Sequence, residues 1–235
     1  MFVLPSIAIK YGSQSIYLVF AALALLLVPV VYKTIPRRTS ESKADLASGD
    51  IHWPICLLIL LAIVIFFLAQ TALWAYLDQI GVAANIEPSD MISALVLISI
   101  GGLLGALTAV FIGVRLGRFW PLVLASLAQV VSLFLLMKGV TFWSFVIQAG
   151  IFNYAWNLII PYQLGLLSDA DQSGKAMVLS GTATGIGVAG GPMIAAMLLD
   201  EHGFGAINVF SAAACLLSLA LLVAALIWLR GYRKA

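Results

Sequence analysis

The sequence predicts an all-α integral membrane protein, and three observations predict it. Of its 235 residues, 63% are hydrophobic and only 9% charged, whereas a soluble domain carries roughly 25% charged residues. Apolar segments of about 20 residues recur along nearly the whole chain, each long enough to cross a hydrocarbon core of roughly 30 Å as a helix. Runs such as Ile55 to Leu68 and Ala212 to Leu229 do not alternate apolar with polar residues, which excludes a β-barrel.

Taken in order, the spans fall at about 14–34, 53–79, 91–114, 119–138, 141–166, 176–199 and 207–229, about seven transmembrane helices in all. Ahead of the first lies an apolar octet, Phe2 to Ile9, too short to cross; it looks like the end of a helix whose beginning is missing and suggests a fragment of a longer protein. Between the first and second spans, PRRTSESKADLASGD (Pro36 to Asp50) reads as a flexible linker. The chain thus divides into 1–36, the linker 37–52, and a six-span body, 53–235.

Charge placement orients the spans. Of the 12 Lys and Arg residues, ten fall in alternate connections or the tail: Lys33, Arg37, Arg38, Lys43, Arg115, Arg118, Lys175, Arg230, Arg233 and Lys234. Such connections are expected in the cytoplasm, placing the amino terminus outside and the carboxyl terminus inside, in a bacterial inner or plasma membrane. A scattered net charge of +2 does not suggest a nucleic-acid surface. Cys56 and Cys215 belong at different depths, which argues against a disulfide between them.

The six later spans are of three kinds. Two are rich in glycine, with Gly101, Gly102, Gly105, Gly113 and Gly117 in one and Gly181, Gly185, Gly187, Gly190 and Gly191 in the other; small residues let helix backbones approach closely, which marks Gly101, Gly105, Gly181, Gly185 and Gly190 for packing. Two, Pro121 to Met137 and Asn208 to Leu229, lack glycine and are almost wholly aliphatic, as lipid-facing helices are. The last two carry polar groups: Phe67, Gln70, Thr71, Trp74 and Asp78 recur at spacings of three and four, and Asn153, Asn157, Tyr154, Trp156 and Gln163 gather around one another. An unbonded amide in hydrocarbon costs several kcal/mol, so these stripes should face protein or water. The three kinds recur in the same order twice, which predicts a three-plus-three repeat.

A long linker followed by six spans in this pattern resembles the carboxyl-terminal half of a major facilitator superfamily transporter. Arg115-Leu116-Gly117-Arg118 is similar to the end of that superfamily's signature loop, although Val114 replaces its acidic residue and Val110 its leading glycine. LSGTATGIGVAGGP, Leu179 to Pro192, resembles its glycine-rich eleventh helix. The resemblance implies that the spans at 53–79 and 141–166 line a central cavity. It also implies that Arg115, Gly117 and Arg118 form a gating loop whose cations pair with acidic groups nearby; the alternative is that the cations only fix topology.

The expected substrate-binding residues are Gln70, Thr71, Trp74, Asn153, Trp156, Asn157 and Gln163. These have structural alternatives: interhelical amide bonds for the Asn and Gln side chains and an interfacial anchor for Trp74 and Asp78, while Pro161, which removes a backbone bond, is expected to kink its helix, for gating or only to shape it. No deep charge is evident in any span, so the solute expected is small and neutral or amphipathic, moved by a secondary transporter. The expected partners are membrane lipid, the solute, and a missing amino-terminal half or another copy. The alternative is a seven-helix receptor or sensor without retinal, since the last span has no Schiff-base lysine. An enzyme is not expected, because His52 and His202 lie near interfaces, and no cofactor or metal is implied.

Overall fold

The computed structural model describes residues 51–138 and 141–232, with Leu18, Ala21, Leu25, Leu26, Val28 and Pro29 as further helical positions. The rest of the span at 14–34, the octet and the linker to residue 50 lie outside the described residues. Six long helices follow: α1 (Trp53–Ala83), α2 (Pro88–Ile112), α3 (Phe119–Leu136), α4 (Phe142–Ala170), α5 (Lys175–His202) and α6 (Phe204–Tyr232). Five of them, all but α4, are long and apolar enough to cross a membrane, and the chain is a multi-pass membrane protein by helix length and hydropathy.

The exception has a physical cause. Gln148, Asn153, Asn157, Gln163 and Asp169 dilute the apolar content of α4, although the helix is 29 residues long. Such a helix survives among lipids by turning its amides inward; Asn153 and Gln163 are indeed buried, with Phe145, Phe152 and Leu166. Local signals open several of these helices. Proline sits in the first turn of α1 and of α2, where a missing N–H costs nothing. Thr141 and Ser144 form a reciprocal capping box at the start of α4. Pro161 lies inside α4 and Pro192 inside α5, and each helix continues past its proline.

Short connections tie the helix ends into two groups. His52 N–H donates to Ala170 O at 3.2 Å, and the His52 and Tyr232 rings are 3.9 Å apart. These contacts join the start of α1 to the ends of α4 and α6. Ile51 pairs with Asp171 in an isolated antiparallel bridge, so the last two residues assigned to the linker are both held. This basic end carries Arg115, Arg118, Lys175 and Arg230. The opposite, acidic end carries Asp78, Glu87, Asp90, Asp200 and Glu201 around the α1–α2 and α5–α6 turns.

Packing follows one pattern: α1 lies principally against α5 and α6, α4 against α2 and α3, and α3 meets α6. Glycine sets two of these crossings. A side-chain carbon added at Gly105 would strike the carbonyl of Tyr154, and one at Gly101 would lie 2.5 Å from Gly150 O, so α2 and α4 touch backbone to backbone. In the α1–α5 crossing, carbons added at Gly187 and Gly191 would lie 2.7 Å from Val64 O and Leu68 O respectively. Gly190 faces Leu68 there, but Gly181 and Gly185 meet nothing within 4 Å among the described residues. Ala176 and Ala183 of α5 are buried in the core shared with α1, so Gly181 and Gly185 lie on a different face of α5 from Gly187 and Gly191.

The helices expected to be aliphatic and lipid-facing differ from that picture on one side. Inside the bundle, α3 buries Ser126, Gln129 and Ser132, and α6 buries Asn208, Ser211, Cys215 and Ser218. Their spacing of three and four residues puts each set on a single face. Averaging over whole spans hid it.

Candidate functional site

The polar stripe expected on α1 separates into two. Gln70 is fully enclosed. Its Oε1 accepts from Gln129 Nε2 at 2.7 Å, and its Nε2 donates to Cys215 Sγ at 3.6 Å. Cys215 Sγ in turn donates to Gln129 Oε1 at 3.4 Å, and Gln129 Nε2 also reaches Phe152 O at 3.3 Å. One closed polar hub therefore joins α1, α3, α6 and α4. Beside it, Ser211 and Ser218 donate to Ala69 O and Ala62 O at 3.0 and 2.8 Å, fastening α6 along α1. Both cysteines are free and buried.

Thr71 points elsewhere because consecutive helical positions are about 100° apart. Its hydroxyl lies 2.7 Å from Phe67 O and 3.2 Å from Gly187 O, at the α1–α5 crossing. One turn on, Trp74 is 38% exposed and meets Trp156 edge to face at 5.9 Å. Phe67 and Phe152 complete the cluster at 6.5 and 6.4 Å from the Trp156 ring. The indole Nε1 of Trp156 is buried without a hydrogen-bond partner. On the adjacent face of α4, Asn153 Nδ2 donates to Ile98 O of α2 at 3.1 Å, and Asn157 Nδ2 reaches Asn153 O at 2.9 Å and Asn153 Oδ1 at 3.1 Å. Gly102 leaves room for both amides.

Of the seven expected binding residues, Trp74 and Trp156 therefore meet directly, with Thr71 on the same side of α1. Asn153 and Asn157 form a second pair over α2. Gln70 belongs to the hub, and Gln163 is buried with its Nε2 unpartnered. Asp78 is exposed at the acidic end. A cavity of about 520 Å³ opens at that end among Ile80, Met137, Lys138 and Asn208, but Trp74 and Trp156 do not line it.

At the basic end, the α2–α3 turn holds the expected gating residues. Gly113 and Gly117 have φ of +51° and +65°, the left-handed region that glycine enters without a side-chain clash. The second of these turns the chain into Arg118, whose Nε and Nη2 grip Asp169 at 2.6 and 2.9 Å. Gly165, one turn before Asp169, leaves the space in which the guanidinium lies. Arg115 is exposed. Next to this pair, Asp171 caps α5 from outside the helix: it accepts from Met177 N–H at 3.0 Å and from Ser173 N–H and Oγ at 3.1 and 2.8 Å. Burial pushes its carboxyl pKa up, but the donors from Met177, Ser173, Ala176 and Gly174 outweigh that and hold it below its ordinary value.

Gln129, Cys215, Gly165 and Asp169 were not expected to hold these positions. The first two were readable from the three-and-four spacing of polar residues in α3 and α6. Asp169 was marked only by being an acid at the end that carries the cations.

No protein-family model matches the chain, and a search of curated proteins gives no match.

Proposed function

We propose that residues 53–235 are one half of a secondary transporter of the major facilitator type, and that a small neutral or amphipathic solute passes along the side of the bundle bearing Thr71, Trp74, Trp156 and Asn157. The observation that carries the reading is an exchange pattern in the packing. Rename α1, α2, α3 as α4, α5, α6 and the principal contacts map onto one another: α1 on α5 and α6 becomes α4 on α2 and α3, while α3 on α6 maps to itself. Two three-helix repeats account for that pattern simply, and repeats of this kind place substrate between their first helices near the bilayer midplane.

Three further features support the reading. The aromatic cluster offers flat surfaces together with an unused indole donor, which suits a solute with an apolar body and a hydrogen-bond acceptor. Among the described residues, Asp171 is the only buried charged side chain, and it lies in the α4–α5 turn, so no deep counter-charge favours an ionic solute. The Arg118–Asp169 pair ties the α2–α3 turn to α4, as a contact closing the basic end would. In this reading the half rocks against an amino-terminal half or a second copy, with the basic end in the cytoplasm.

The test is uptake of neutral amphipathic solutes into vesicles containing the chain together with a candidate amino-terminal half. Trp74→Ala and Asn157→Ala should each lower uptake while membrane expression stays level. Unchanged uptake in both would remove these residues from the path.

A further inference from the structure

A small pocket at the basic end is not used by the proposed solute path. It measures about 110 Å³ and is lined by Arg118, Leu166, Asp169, Leu226, Leu229 and Arg230. Its three leucines are buried, so its floor is apolar. Its two guanidiniums are in different situations. Arg118 is engaged by Asp169 through two of its nitrogens, which balances that carboxylate. Arg230 is exposed and has no ion-pair partner among the described residues. The lining therefore carries one positive charge in excess.

The depth of the pocket is marked independently. Trp53, Trp120, Trp228 and Tyr232 are exposed around the same end of the bundle, and exposed tryptophan and tyrosine collect at the level of lipid headgroups. Arg230 lies between Trp228 and Tyr232 in sequence. A planar guanidinium fork matches phosphate oxygens bidentately. From the uncompensated charge, the leucine floor and the aromatic girdle, we propose that this pocket seats the phosphate of an anionic phospholipid, held by Arg230, with the glycerol backbone over Leu226 and Leu229. Inorganic phosphate has the same oxygens, but it gains nothing from the leucines and is not concentrated at the membrane surface.

The test uses the full chain in nanodiscs containing equal amounts of phosphatidylcholine and phosphatidylglycerol. Native mass spectrometry then reads which lipid remains bound after release. The wild type should retain phosphatidylglycerol preferentially, and Arg230→Gln should reduce that preference about fivefold, the loss expected for one cation near an anionic surface. Arg230→Lys, which keeps the charge, should restore most of it, and added salt should weaken retention by the wild type. Equal retention of both lipids by the wild type, or an undiminished preference in Arg230→Gln, would overturn the proposal. So would phosphorus resonance data in which inorganic phosphate binds protein in phosphatidylcholine-only discs with the same dependence on Arg230.

Discussion

Two groups of side chains meet along α1 and are arranged in opposite ways, one shared with α3 and α6 and the other with α4. The hub of Gln70, Gln129 and Cys215 is sealed from solvent, and each amide oxygen accepts a hydrogen bond. The cluster around Trp74 and Trp156 is partly open and keeps a buried indole N–H without a partner. In hydrocarbon an unmade hydrogen bond is expensive, so a closed ring of bonds is a staple, whereas the unpartnered Trp156 N–H is what the proposed solute path would use. Residue type does not separate the two. The direction of the side chain does, and Gln70 and Thr71 differ by a single residue.

The largest expected effect breaks the hub. Gln129→Ala removes the donor to Gln70 Oε1 and the acceptor for Cys215, leaving polar atoms buried and a void where an amide stood. Unsatisfied buried groups cost about 1–3 kcal/mol each, so unfolding in detergent micelles should show a loss of about 3 kcal/mol. The double replacement Gln70→Leu with Gln129→Leu removes both partners together and should recover most of that loss. Trp74→Ala, at a partly exposed position, should cost clearly less than Gln129→Ala. If the two single variants proved equally destabilising, the distinction between staple and site would fail.

A second contrast has the same form among glycines and a smaller expected effect. Gly105→Ala sets a methyl against the Tyr154 carbonyl, which is backbone and cannot swing aside, so α2 and α4 must part. Overpacking of this kind costs about 1–3 kcal/mol. Gly185→Ala meets nothing within 4 Å among the described residues and should be neutral or slightly stabilising, since alanine is the better helix former. Thermal unfolding of the two variants side by side checks this, and equal destabilisation would show that Gly185 is covered by something outside the described residues.

How much of this was legible in the sequence depends on what each feature needs. Apolar length alone located six helices, with errors of a few residues at their ends, because helical hydrogen bonding continues beyond the apolar run: 53–79 became Trp53–Ala83 and 207–229 became Phe204–Tyr232. Spacing placed Trp74 and Trp156 on polar stripes, and the structure brings their rings together. Spacing did not separate Gln70 from Thr71 and Trp74, because a stripe of threes and fours is about 100° wide and its two edges meet different neighbours. It also failed at α3 and α6, where a mostly aliphatic composition concealed Gln129 and Cys215. The Arg118–Asp169 pair needed knowledge of which helix end lies against the α2–α3 turn, and that is a tertiary fact.

The smallest expected effect is at the basic end and depends on pH. The first residue of α5 follows Gly174, which has no side chain to cap the helix; Asp171 supplies the missing acceptor from three residues upstream, its carboxylate bonded to Met177 N–H. A carboxylate there also faces the positive end of the helix dipole. The folded-state pKa is lowered, so the stabilisation is fully present above the unfolded-state value, about 3.9, and is lost as pH falls through the folded-state value. Asp171→Asn keeps one acceptor oxygen but loses the charge, and should cost about 1 kcal/mol at neutral pH, within the range for helix caps. Unfolding midpoints measured downward from pH 7 should therefore converge for wild type and variant in acid. Parallel curves would show that the charge of Asp171 contributes nothing and that its role is one of shape alone, like the closed hub and unlike the open cluster.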